Sequence, residues 1–252
     1  MKRRRALRAL PRLCAFLLLQ SCLAGAASSG PSGPASGILF IGNSLTYWND
    51  LPLIVQAVFD TAGGVRHEVG MIAAPDFSLE DHWNEGNARR EIERGGWQIV
   101  VLQQGPSSLP ESRVLLRDYV GRFSERIKAI GARPALYSAW PQRSRQGDFD
   151  RAIESYALAA ADVGGMLFPV AAAWREAWKR DSTVVLYEPD GLHPTVIASY
   201  LAAIVMYGVI TDKTPVGLPA QLRLRDGRML TLPAALAALL QAAAAEAIRA
   251  AR

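Results

Sequence analysis

The chain has 252 residues, half of them apolar and 20% charged, which suits one α/β domain with a sizeable core and argues against wholesale disorder. Its formal charge of +5 invites a nucleic-acid reading, but Lys2, Arg3, Arg4, Arg5, Arg8 and Arg12 crowd the first 36 residues with no acid among them, which leaves −1 for the remainder. That remainder carries no basic footprint, so no nucleic-acid partner is expected.

In chain order, the basic start is followed by an apolar run at 13–23 and then by Ala24-Gly25-Ala26-Ala27. This is the three-part order of a secretory signal peptide, and the run is too short for a membrane-spanning helix. Cleavage after Ala26 obeys the small-x-small rule. The alternative is Leu19-Gln20-Ser21-Cys22, which resembles a lipobox and would lipidate Cys22, the one expected route to a membrane. Both cysteines, Cys14 and Cys22, fall in this segment, so a mature domain has no disulfide, no Cys nucleophile and no zinc–thiolate site. The expectation is an exported protein, periplasmic or secreted, with a signal peptide at 1–26, a Ser/Gly/Pro-rich flexible leader at 27–36 and a single domain at 37–252.

Residues 37–42 (Gly-Ile-Leu-Phe-Ile-Gly) read as a buried strand. A helix is expected at 51–62, closed by Gly63-Gly64, then a strand at 65–73 in which His67, between Val65 and Val69, should face solvent. A polar helix is expected at 79–94, a buried strand at 99–102, a helix at 113–130, a strand at 135–139, a helix at 149–163 and a strand at 166–170. Helices near 171–179, 196–210 and 233–251 complete the pattern, while 215–228 reads either as a hairpin near the site or as a remote loop. Strands spaced by helices of this length imply right-handed βαβ units and a parallel sheet, with chemistry at the carboxyl ends of its strands.

Two segments there carry candidate chemistry. Ser44, in Gly42-Asn43-Ser44-Leu45-Thr46, sits at a strand-to-helix turn, where its hydroxyl can project as a nucleophile and its N–H can donate to an oxyanion. Ser and Asn at such a turn also serve simply as helix caps. Thr46 stands where the Gly-x-Ser-x-Gly elbow needs a second glycine, so that motif is absent. In Glu188-Pro189-Asp190-Gly191-Leu192-His193-Pro194, a loop broken by Pro and Gly, Asp190 can bond one ring nitrogen of His193 while the other faces Ser44.

Together these segments resemble the SGNH (GDSL-like) hydrolase family. Gly42-Asn43-Ser44-Leu45 is similar to its first block, with Asn43 for the usual Asp, and Asp190-Gly191-Leu192-His193-Pro194 to its Asp-x-x-His block. The resemblance implies a flavodoxin-like three-layer α/β/α sandwich around a parallel sheet. It also implies ester hydrolysis through an acyl-enzyme without metal or other cofactor, with Ser44 as nucleophile, His193 as base then acid, and Asp190 as its orienter. The middle blocks depart from the pattern. Asp76 stands where the oxyanion-hole Gly is expected: its N–H can donate, but its carboxylate would oppose an oxyanion. Gln104-Gly105 is similar to a Gln-Gly pair of some carbohydrate-esterase branches, so Gln104 is the expected side-chain donor and Gln103 the alternative.

Asn43, Gln103, Gly105, Tyr47 and His82 are candidate substrate contacts, although a helix-surface position for His82 and core or rim packing for Tyr47, Trp48 and Trp140 are the plainer readings. Glu80 and Asp81 lack a second ligand at metal-binding spacing. The expected substrate is a small-molecule or glycan ester, with short acyl groups such as O-acetyl favoured. O-acetyl transfer, lipase or thioesterase activity, and a glycan-binding module with a decayed site are the alternatives.

Overall fold

Apolar runs on both faces are what a covered parallel sheet demands, and the runs at 38–41 and 99–102 lie in its two central strands. The computed structural model describes residues 36–63 and 65–252, all in the unit Gly33–Arg252. The expected signal peptide, the lipobox reading, both cysteines and nearly all of the expected leader lie outside the described residues. The strands are β1 (Ser36–Gly42), β2 (His67–Ala73), β3 (Trp97–Leu102), β4 (Arg133–Tyr137) and β5 (Met166–Phe168). They pair in the order β2-β1-β3-β4-β5, all parallel. Ile38, Ile41, Val100, Leu102 and Leu136 are fully buried, as two-sided covering requires.

The helices are α1 (Ser44–Tyr47), α2 (Leu51–Ala62), α3 (Leu79–Glu85), α4 (Asn87–Arg94), α5 (Pro110–Ala129), α6 (Phe149–Val163), α7 (Val170–Arg180), α8 (Val196–Thr211) and α9 (Ala234–Ala250). Helices α2, α7, α8 and α9 pack together as one layer, and α3, α4, α5 and α6 as the other. Helix α8 is apolar nearly all round and buried along Ala198–Gly208, as a helix clasped between neighbours must be. The result is the flavodoxin-like α/β/α sandwich. Strand order reverses between β1 and β3, and the crevice above their carboxyl ends is where such sheets bind ligands.

Two local expectations are corrected and one open alternative is decided. The polar helix at 79–94 is two helices, because Gly86 adopts φ +84 and ends α3 with a left-handed cap. His67 does not face solvent: its ring packs on Phe59 of α2 with centroids 4.0 Å apart, and burial lowers its pKa. Residues 221–231 form a hairpin, β6 (Gln221–Arg223) with β7 (Met229–Thr231), against α2. Arg225 in its turn bonds Asp60 and Glu68, while Arg228 reaches Asp50.

Candidate active site

The turn after β1 is built around one carboxamide. Gln103, at the end of β3 and fully buried, accepts at Oε1 from the Asn43 N–H (3.0 Å) and Thr46 Oγ1 (2.6 Å). Its Nε2 donates to Asn43 Oδ1 (3.0 Å). Asn43 caps α1 by accepting from the Leu45 N–H (3.1 Å), and its Nδ2 donates to the Phe77 carbonyl (3.1 Å). Gly42 is needed here because a Cβ would collide with Thr46 Oγ1 and the Gln103 carboxamide oxygen. His82 Nε2 donates to the Gly42 carbonyl at 2.7 Å. These bonds fix Ser44 as the first residue of α1, 8% exposed at the crevice.

A cleft of about 390 Å³ opens beside Ser44, lined among others by Asn43, Asp76, Phe77, Gln104, Gly105, Leu109, Arg145 and Leu192. Gln104 thus borders the cleft, whereas Gln103 lies beneath the Ser44 turn. The Gln104 amide is not idle: Oε1 accepts from the Leu79 N–H (3.0 Å) at the start of α3, and Nε2 donates to Ser107 Oγ (2.9 Å). Asp76 is exposed and holds φ +60, a left-handed conformation that few residues other than glycine tolerate. The backbone N–H groups of Ser44, Asp76 and Gly105 donate to no partner among the described residues.

On the other flank, Asp190 Oδ2 meets His193 Nδ1 at 2.6 Å. Asp190 Oδ1 accepts from the Leu192 N–H (2.8 Å) and the His193 N–H (3.0 Å). The His193 bond, reinforced by the Leu192 N–H, pulls the Asp190 pKa down to about 2. An ionised Asp190 takes a proton-bearing Nδ1, which leaves the Nε2 lone pair of a neutral ring free to act as a base. Ser44 Oγ and His193 make no hydrogen bond in this structure. They are linked through Trp48, one residue beyond α1, whose ring stacks on His193 with centroids 3.9 Å apart at 15°.

The Asp-x-x-His loop is clamped from several elements. Trp140 Nε1 donates to the Leu192 carbonyl (3.0 Å), and the Arg143 N–H to the Gly191 carbonyl (2.8 Å). The Arg143 guanidinium holds the Tyr187 and Glu188 carbonyls, and Asn49 Nδ2 donates to the Pro194 carbonyl (2.8 Å). Asn49 and Asp50 both sit at positive φ, a strained step held by these contacts and by Arg228.

Some expected contacts are not made. Gln103, Tyr47 and His82 do not line the cleft: Gln103 is structural, Tyr47 is half-buried, and His82 is buried, with Phe77 against its ring and its pKa lowered by burial. Glu80 accepts from Tyr119 Oη, and Asp81 closes a capping box with Ser78, which accounts for both carboxylates. Residue-by-residue reasoning missed the Trp48 stack, the Arg143 clamp and Arg145. A signal existed only for Trp48, four residues after Ser44.

A protein assigned as an SGNH hydrolase from Slackia heliotrinireducens is 31% identical over a match covering 70% of this chain and 99% of that one, with a TM-score of 0.61. The chain belongs to the SGNH hydrolase family. More distant members of the fold include a DUF4886 family protein from Bacteroides uniformis (18% identity, 85% of this chain and 95% of that one, TM-score 0.66). Another is a catalytic mutant of an acetylxylan esterase from Geobacillus stearothermophilus (17% identity, 71% and 95%, TM-score 0.53). No family model matches the chain, and no curated protein matches its sequence.

Proposed function

We propose that this SGNH hydrolase is an exported serine esterase that cleaves short-chain acyl esters, O-acetyl groups on carbohydrate foremost. The observation that carries the reading is the Asp190–His193 pair, bonded at 2.6 Å and coupled through Trp48 to the helix that starts at Ser44. Ser44 Oγ attacks the ester carbonyl as its proton passes to His193 Nε2. The tetrahedral oxyanion is held by the Ser44 and Asp76 N–H groups, with Gln104 Nε2 turning from Ser107 to join them. The carbon–alkoxide bond then breaks and His193 returns the proton to the departing alcohol. Water next loses a proton to His193, attacks the acyl-Ser44, and frees the carboxylic acid and the serine.

The likeness of Gln104-Gly105 to carbohydrate-esterase sequences supports the glycan, and the basic–apolar–small order of the first 27 residues supports export. A single domain at 37–252 is part of the same proposal. A longer acyl group is the second reading, favoured by the apolar wall of Phe77, Leu109 and Leu115 in a cleft far larger than an acetyl needs. Hydrolysis of 4-nitrophenyl acetate, butyrate and octanoate by the protein, Ser44→Ala and His193→Ala tests both. Activity lost in both variants supports the serine mechanism, and the chain-length optimum chooses the acyl group. A parent no faster than its variants on every ester overturns it.

A further inference from the structure

Arg145 borders the cleft beside Ser44 and Leu192, yet no step above uses it. Its guanidinium is anchored. Asp148, buried, forms an ion pair with Arg145 and accepts hydrogen bonds from Arg151 Nη2 and from Ser108 Oγ (3.2 Å). Two guanidiniums share that one carboxylate, so the cluster keeps one positive charge. Arg145 gives Asp148 one end of its fork, and its side chain is 47% exposed, so the other N–H groups remain available to a ligand. Arg143, two residues earlier, spends its guanidinium on backbone carbonyls and adds a second positive charge to this flank. The acids there are Asp190, bonded to His193, and Glu188, whose carbonyl Arg143 holds. Asp76 follows β2 and Arg145 follows β4, two strands three spacings of about 4.8 Å, or about 14 Å, apart.

Under the esterase reading, His193 must protonate the leaving oxygen, so the alcohol half of the substrate lies on the His193–Arg145 flank. We infer that the site takes esters whose alcohol carries a carboxylate, such as a carboxylated sugar, with Arg145 as the carboxylate-binding residue. This rests on the proposed function above. The shared Asp148 leaves the Arg145 cluster a single net charge, which matches a monoanion better than a phosphate dianion, and a planar fork suits a planar carboxylate.

The matched pair 4-acetoxybenzoate and methyl 4-acetoxybenzoate presents the same acetyl ester with and without a carboxylate on the alcohol side. The ratio of their kcat/KM values cancels any general loss of activity. The parent should favour the anion by about tenfold. Arg145→Gln should bring the ratio near one, Arg145→Lys should keep part of it, and added salt should lower it in the parent. A parent ratio of one, or a ratio unmoved by Arg145→Gln, overturns the inference. Should the protein cleave neither ester, the esterase reading falls and binding decides the inference. Calorimetric titration of Ser44→Ala with oligogalacturonate and with a neutral cello-oligosaccharide then gives tighter acidic-glycan binding that is lost when Arg145→Gln is added. Equal binding of the two glycans refutes it.

Discussion

Replacing Asp190 by Asn separates orientation of His193 from support of its loop. The asparagine Oδ1 can still accept from the Leu192 and His193 N–H groups, which Asp190 now holds at 2.8 and 3.0 Å. Its Nδ2 cannot accept from His193 Nδ1, where Asp190 accepts at 2.6 Å. To regain a bond the ring must carry its proton on Nε2, which leaves no lone pair there for the Ser44 proton. A lost charge-assisted bond alone is about 1.5–3 kcal/mol, or roughly 10- to 150-fold, and the wrong tautomer adds to it. We therefore expect kcat on 4-nitrophenyl acetate to fall at least about 100-fold. Stability should barely move. The Asp190 side chain is 45% exposed, so the pair is screened and contributes at most about 1 kcal/mol, a Tm change of no more than about 4 °C. An Asp190→Asn enzyme within threefold of the parent refutes the orienting role. A Tm drop beyond about 10 °C shows instead that the carboxylate mainly holds the loop together.

The same carboxylate predicts a pH effect on stability. Its folded-state pKa of about 2 lies below the ordinary 3.8, so its contribution is whole above about pH 4 and drains away as pH falls toward 2. Thermal melts over that window should decline less steeply in Asp190→Asn than in the parent. Gln103→Leu strands the Asn43 N–H and the Thr46 hydroxyl without their acceptor, at a cost of about 2–4 kcal/mol in chemical denaturation, with activity falling alongside. Gly42→Ala drives a methyl into Thr46 and Gln103 at a comparable cost, and a denaturation midpoint equal to the parent's would discredit the packing described for that turn. Trp48→Leu removes the face stacked on His193 and should lower kcat/KM by about 2- to 30-fold, the range of a cation–π contact to the imidazolium formed during turnover.

The sheet was legible because parallel strands buried on both faces spell continuous apolar runs, and those at 38–41 and 99–102 have no other use. Ser44 and the Asp190–His193 pair were legible because glycines, prolines and a cap residue punctuate their turns. The polar wiring beneath them was not. Gln103 reaches Asn43 across 60 positions and Asn49 reaches Pro194 across 145, and contacts that distant leave no period to read. His82 and His67 misled for a related reason. Each sits in a polar local context, and what buries them is brought in from elsewhere: Phe59 for His67, and the Gly42 carbonyl and Phe77 for His82. Gln103 and Gln104 could not be told apart by alternation alone, because both side chains are buried and bonded, one below the Ser44 turn and one at the cleft.

Asp76 shows how a departure from the family pattern can keep a conformation that glycine favours. The family pattern puts an oxyanion-hole glycine at this turn, and Asp76 holds, at φ +60, a left-handed conformation that glycine adopts freely. Asp and Asn are the non-glycine residues that visit it at lowest cost, because a short polar side chain can bond locally, so the substitution comes from the narrow set the backbone permits. Ser107 does the same at φ +53 on the opposite side of Gln104, whose amide spans from the Leu79 N–H to Ser107 Oγ. The two left-handed residues thus bracket one carboxamide that ties the turn after β2 to the turn after β3. What the two residues set is backbone direction at the cleft.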